Sequence, residues 1–172
     1  GFDNDTPSIF QRQIDFIQKT GIVTAMVGLL QAPTGTRLYE RLKKEGRLLG
    51  RMTGDNADGS TNIIPNNMDA DTCREGYKTI LKHIYSPENY YNRIMTLFKE
   101  YKSPTIKGTI KFEHIVGLVN SIYHLGIFGK ERVQFWRLLL WTSLHRRDLF
   151  PLAVTLAVYG YHFRRVSELH VL

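Results

Sequence analysis

Ile22-Val23-Thr24-Ala25-Met26-Val27-Gly28-Leu29-Leu30 is an uncharged run rich in β-branched residues, bounded by Gly21 on one side and Pro33-Thr34-Gly35 on the other. Such a run suits a strand buried on both faces, as in a parallel sheet. Upstream, Gly1-Phe2-Asp3-Asn4-Asp5-Thr6-Pro7 reads as a loop delivering a helix, because Thr6 is a good N-cap and Pro7 suits the first helical position. Ile9, Phe10, Ile14 and Ile17 then recur at helical spacing up to a stop at Gly21, which predicts a helix over Pro7 to Lys19. Downstream, Leu38 and Leu42 share one face of a second helix, Thr36 to Glu45, with Gly46 as its C-cap. Helix, strand, helix is the tail of an alternating βα series. One strand cannot make a sheet, so its partners are expected in polypeptide ahead of Gly1, and the first residue is glycine rather than methionine.

Beyond Arg47 the composition changes. Residues 47 to 68 are rich in Gly, Asn, Asp and Thr, including Gly50, Gly54, Asp55, Asn56, Asp58, Gly59, Asn62, Asn66 and Asn67, and read as a linker or a long ordered loop. From Asp69 onward the pattern is helical. Asp69 caps a helix with Cys73, Tyr77, Ile80, Leu81 and Ile84 on its inner side, and Ser86-Pro87 starts another with Tyr90, Tyr91, Ile94, Leu97, Phe98 and Tyr101 facing inward. Phe112, Ile115, Val116, Val119 and Ile122 mark a third; Val133, Trp136, Leu140 and Leu144 a fourth; Phe150, Val154, Ala157, Val158 and Tyr161 a fifth, capped by Asp148. Short connections suit helices that fold back on their neighbours. The expected class is mainly α: a helix-strand-helix remnant of a βα barrel over 1–48, a linker or ordered loop over 49–68, and a bundle-like helical accessory domain over 69–172.

The chain has 172 residues, enough for one domain with its own core, and a single cysteine, Cys73. No disulfide framework or paired-cysteine zinc site can form within one molecule, and a reducing, cytoplasmic setting is expected. The longest apolar stretches, Ile22 to Ala32 and Leu149 to Tyr161, fall short of the roughly 20 residues a membrane span needs, and Pro151 interrupts the second. The formal net charge of +7 would draw the chain toward phosphates or acidic partners. Basic residues concentrate only at His145, Arg146, Arg147 and at His162, Arg164, Arg165.

The motifs of complete enzyme sites are missing. There is no Walker sequence and no Gly-x-Gly-x-x-Gly opening a helix. The six histidines include no pair at i, i+4 that would set two imidazoles on one helical face for a metal. Asp55-Asn56-Ala57-Asp58-Gly59 is a poor calcium loop, since Ala57 stands where an oxygen ligand is wanted and no acid closes it. Cys73 falls on an apolar helix face, as an inert core thiol does. Asp3 and Asp5 sit just ahead of a helix N-terminus, where a βα barrel collects its ligand-binding loops, although capping that helix would occupy them equally well.

Taken together, Gly1 to Pro7, the helix through Gln18, Met26-Val27-Gly28-Leu29-Leu30, and Gly35 through Leu48 resemble the end of the barrel in cobalamin-binding radical S-adenosylmethionine enzymes. Ser60-Thr61-Asn62-Ile63-Ile64-Pro65, Glu75-Gly76-Tyr77, Ile84-Tyr85-Ser86-Pro87, Tyr90-Tyr91-Asn92-Arg93 and Gly160-Tyr161-His162-Phe163-Arg164 resemble the uncharacterised helical domain that follows that barrel in one subgroup. The resemblance implies a parent that uses S-adenosylmethionine, a [4Fe-4S] cluster on a Cys-x3-Cys-x2-Cys motif, and cobalamin, often to methylate an unactivated carbon. The cluster motif and the cobalamin domain are absent from this chain, so no cofactor is expected to be held by it alone. The resemblance also implies that Gly1, Asp3 and Asp5 lie near S-adenosylmethionine, with Leu30 and Gln31 at the barrel mouth. Where the family often has Pro-Gly-Thr, this chain reads Pro33-Thr34-Gly35-Thr36. The expected role is a non-catalytic C-terminal piece whose helical domain packs on the barrel and helps to close or shape the substrate site. Its partners would be the rest of its own polypeptide and the parent's small-molecule substrate, with nucleic acid the less favoured partner. The alternative is a helical module that binds a protein or nucleic acid through Trp136, Trp141, Arg146, Arg147, Arg164 and Arg165.

Overall fold

A computed structural model describes residues 1–50, 54, 59–102 and 112–171, apart from the side chain of residue 170. The chain is mainly helical: α1 (Ser8–Thr20), α2 (Arg37–Lys44), α3 (Ala70–Ile84), α4 (Pro87–Glu100), α5 (Phe112–Ser121), a π-helical turn (Ile122–Ile127), α6 (Arg132–His145), a 3-10 turn (Arg147–Leu149) and α7 (Phe150–His170). The sequence signals set several boundaries. Gly21 and Gly46 adopt the left-handed conformation, at φ +69° and +68°, just beyond α1 and α2. Asp69 Oδ1 accepts from the Thr72 amide at 2.6 Å, satisfying a first-turn donor of α3. Thr36 Oγ1 does the same for the Tyr39 amide at the start of α2.

Two compact units interleave along the chain. One comprises Gly1–Phe16, Met26–His83 and Val166–Leu172. Its small core sets Ala32, Leu42 and Ile63 together, with Leu30, Leu38, Tyr39 and Leu48 packed around them. On α3 the expected inner side is buried from Cys73 through Ile84. Phe10 of α1 lies so close to Gly76 of α3 that a Cβ there would meet its ring at 2.3 Å, so only glycine fits.

The other unit comprises Ile17–Ala25 and Ile84–Arg165. Here α4 buries Tyr90, Tyr91, Ile94 and Phe98, α6 buries Phe135, Leu138 and Leu139, and α7 buries Ala153 and Ala157. Phe98 and Phe135 are both 0% exposed, and each contributes about 1.5–3 kcal/mol of burial energy. Tyr90 packs against Gly160 of α7, with its ring 2.3 Å from where a Cβ would stand.

Three expectations need correcting. The strand over Ile22 to Leu30 does not form; among the described residues the one recorded bridge is an isolated antiparallel pair, Leu48 with Ile63. The run is not buried on both faces either: Val23 and Leu29 are buried, whereas Ile22 and Met26 are exposed. Its backbone meets side chains instead of a neighbouring strand, as detailed below. The inner faces of α5 and α6 also differ from expectation. Phe112, Ile115, Val116 and Val119 are exposed, and on α6 it is Val133, Trp136, Leu140 and Leu144 that face outward. Because α6 carries leucines and aromatics all round, periodicity could not choose its buried face. Within the expected linker, Leu49 and Asn62 to Ile64 are tied by backbone bonds beside the bridge. The reading of Asp55 to Asp58 as turn chemistry rather than a calcium loop lies outside the described residues.

Candidate functional site

The residues expected to approach a cofactor all belong to the first unit, and the fold gathers them around the N-terminal loop. A Cβ on Gly1 would stand 3.4 Å from the Leu30 side chain and 3.9 Å from Cys73 Sγ. Asp5 Oδ2 accepts from the nitrogens of Gly1 and Phe2, both at 2.8 Å. Asp3 accepts from Arg41 Nη1 at 2.5 Å and from Arg47 Nη1 at 3.0 Å, while its carbonyl accepts from Asn67 Nδ2 at 2.8 Å. The hydrogen bond from Arg41, then that from Arg47, keeps the Asp3 carboxyl ionised well below its ordinary value. Both aspartates are therefore committed to holding the loop, one through a backbone turn and the other through two guanidinium groups. Burial raises the Cys73 thiol above its ordinary value, which makes it a poor nucleophile or metal ligand.

Leu30 and Gln31 sit in the same unit, on a stretch of backbone that side chains grip. Thr61 Oγ1 donates to the Leu30 carbonyl at 2.7 Å, and Gln31 Nε2 donates to the Ser60 carbonyl at 3.3 Å. Asn62, buried, closes a two-bond clamp on Ala32: its Oδ1 accepts from the Ala32 amide at 2.8 Å and its Nδ2 donates to the Ala32 carbonyl at 2.9 Å. An asparagine amide carries the same donor and acceptor as a peptide, so it stands in for the missing ladder.

In the second unit the equivalent grip is Arg93, which is 0% exposed. Its guanidinium donates to the carbonyls of Ile22 at 2.9 Å, Val23 at 3.3 Å and Ile84 at 2.5 Å, and to Gln18 Oε1 at 2.9 Å. Burial lowers its pKa to about 10, so it is charged at neutral pH. Tyr85 adds a bond from its hydroxyl to the Ala25 carbonyl at 2.7 Å. Asn62 and Arg93 had no predicted role. No local signal set them apart, since Arg93 follows Asn92 and Asn62 follows Ser60-Thr61, each beside polar neighbours.

The second unit also holds a small cavity, with room for little more than a water molecule, lined by Tyr85, Tyr90, Tyr91, Glu131, Tyr161 and Arg164 among others. Glu131 is buried and pairs with Arg164 at 2.6 Å. Burial, with Glu131 next, pushes the Tyr91 hydroxyl far above the tyrosine range, so it stays protonated. Arg146 is spent on the carbonyls of Phe98 and Tyr101 and on Asp148. Two of the four arginines considered for a basic binding surface are thus structural. Trp141 stacks on His145 and is half-buried; Trp136 is exposed although its indole donates to the Gly126 carbonyl at 3.0 Å. Among the described residues no cluster of three His, Cys, Asp or Glu could hold a metal ion, and no helix is long and apolar enough to cross a membrane.

Residues 36–171 match the model of a domain of unknown function, DUF4070. The chain belongs to this family. The DUF4070 stretch contains Asn62, Arg93, Glu131, Gly160 and Arg164, whereas Gly1, Asp3, Asp5, Leu30 and Gln31 all precede it. The chain is similar to the uncharacterized methyltransferase sll1242 of Synechocystis sp., with 29% identity over 98% of this chain and 32% of that protein. It is also similar to the hopanoid C-2 methylase of Rhodopseudomonas palustris, with 28% identity over 92% of this chain and 30% of that protein. It spans about a third of the length of these curated relatives. No solved structure matches it.

Proposed function

We propose that the chain is the C-terminal part of a cobalamin-dependent radical S-adenosylmethionine enzyme that methylates an unactivated carbon. In this reading residues 1–48 complete its βα barrel and 69–172 are a helical accessory domain that helps shape the substrate site. The similarity to a named carbon methylase across 92% of the chain carries the reading. The barrel-end and helical-domain motifs add to it.

The residues present do not fit a [4Fe-4S] cluster. Cys73 is the only cysteine, and it is buried with its thiol pKa raised, so the thiolates of such a cluster must come from elsewhere in the polypeptide. What this chain would bring to S-adenosylmethionine is shape. Gly1 lies against Leu30, and Asp3 and Asp5 hold that corner closed while their own oxygens are occupied. In this reading none of this chain's residues is catalytic, and the parent's substrate is a small molecule with a carbon to be methylated.

The test uses the full-length polypeptide, purified without oxygen and supplied with iron, sulfide, cobalamin, reductant and methyl-labelled S-adenosylmethionine. Consumption of S-adenosylmethionine with label appearing in an organic extract of the cell of origin is the expected result. A polypeptide that lacks a three-cysteine motif ahead of this chain, or that never consumes S-adenosylmethionine, would sink the reading.

A further inference from the structure

The largest unexplained feature of the second unit is its exposed apolar face. On α5, Phe112, Ile115, Val116 and Val119 recur at i, i+3, i+4 and i+7, the spacing of a helix meant to be covered, yet Phe112 is 78% exposed and Val119 58%. Tyr123, Ile127 and Phe128 continue the exposed series through the π-helical turn, and Val133, Trp136, Leu140 and Leu144 extend it along α6. The turn and α6 are locked together by the Trp136 bond to Gly126 and by Phe135 packed against the same glycine. An exposed apolar series of this extent exceeds the scattered hydrophobes of an ordinary surface.

Charge decides what covers it. Arg132 and Arg137 are exposed among these apolar residues. Between Phe112 and His145 there are two acids: Glu113, which is exposed, and Glu131, which is buried and paired with Arg164. The face is therefore apolar and aromatic with a cationic excess. Aromatic residues with aliphatic side chains among them and long cationic side chains nearby are the composition of helices that lie in a bilayer interface. An isologous dimer through this face would set one cationic patch against its copy, which disfavours a second chain. We infer that α5, the π-helical turn and α6 form a docking surface for a lipid bilayer bearing anionic headgroups, with apolar side chains among the acyl chains and Arg132 and Arg137 at the phosphates. The inference stands independently of the proposed methyl transfer.

The experiment is co-sedimentation of the full chain with vesicles made of equal parts phosphatidylcholine and phosphatidylglycerol, and with vesicles of phosphatidylcholine alone. Binding to the mixed vesicles is expected, weaker by about tenfold or more on the neutral ones and in high salt. Leu140→Glu with Leu144→Glu, and separately Arg132→Glu with Arg137→Glu, each replace exposed side chains and leave helicity unchanged; each weakens binding about tenfold or more. Trp136 emission, read in a Trp141→Phe background, shifts to the blue on binding. Failure to sediment with the mixed vesicles overturns the inference, as does binding that the leucine double variant leaves intact. A dimer in sedimentation velocity that the same double variant dissociates assigns the face to a second copy and overturns it too. So does slow amide exchange over 112–127 in the full-length polypeptide without vesicles, because protein would already cover the face.

Discussion

Replacing Arg93 by Met tests the most consequential interaction in the second unit. The substitution keeps an unbranched apolar stem of similar reach while removing every donor. It strands the carbonyls of Val23 and Ile84 in buried surroundings and frees that of Ile22, which lies closer to solvent because its residue is 38% exposed. Each buried carbonyl left without a partner costs about 1–3 kcal/mol. The Val23 bond is long at 3.3 Å and falls at the lower end, and the Ile84 bond at 2.5 Å falls at the upper. Against this, the variant no longer carries the cost of burying a guanidinium, which offsets part of the loss. The net expectation is a destabilisation of about 3 kcal/mol. With a urea slope of about 2 kcal/mol/M, the unfolding midpoint should fall by roughly 1.5 M at constant slope. Arg93→Lys, with one compact ammonium in place of a planar fork, should recover less than half of that. A midpoint within about 0.3 M of the parent for Arg93→Met would refute the idea that this side chain holds the Ile22–Val23 backbone.

Two glycines should respond in opposite directions. Gly160→Ala drives a Cβ into the Tyr90 ring and should cost about 1–3 kcal/mol, whereas Gly117→Ala in α5, where nothing lies within 4 Å, should stabilise by about 0.5–1 kcal/mol; thermal unfolding followed by circular dichroism reads both. Asn62→Ala removes the clamp on Ala32, so the Ala32 amide should exchange about tenfold faster or more, and an unchanged rate would mean the clamp bears no load. The Asp3 carboxyl is depressed in the folded chain by Arg41 and Arg47, so its contribution is complete above the ordinary value of 3.8 and is lost as pH falls below it through the folded value. Asp3→Asn should remove that contribution at neutral pH and flatten this part of the acid limb of a stability profile. An acid limb identical in both proteins would assign the loss to other carboxylates.

Much of the helical pattern was legible because local chemistry fixes it. Asp69 ahead of α3, Ser86-Pro87 ahead of α4, and Gly21 and Gly46 behind α1 and α2 are signals read within one or two turns, and the stripe from Cys73 to Ile84 leaves one choice of inner face. α6 was not legible in the same way. With Leu138, Leu139 and Leu140 consecutive, burial is decided by what the helix meets, and the face containing Phe135 won over the one containing Val133 and Leu144. The run at Ile22 to Leu30 has the composition of a strand, but its carbonyls are held by groups far away in sequence, Thr61, Tyr85 and Arg93. In the candidate corner, Asp3 and Asp5 could be picked out by position. Their arginine and backbone partners could not, because Arg41 and Arg47 reach Asp3 only after α2 has folded back.

The grips on residues 22, 23, 30 and 32 have a bearing on how such a chain diverges. Each one takes hold of a backbone carbonyl or, at Ala32, also an amide N–H that every residue type but proline provides, and so reads little of the side chains it holds. Met26, almost wholly in solvent, can drift without penalty while the asparagine and the arginine that do the holding cannot. Selection on this stretch therefore falls on its few buried side chains, Val23, Leu29 and Ala32, and on residues distant from it in sequence.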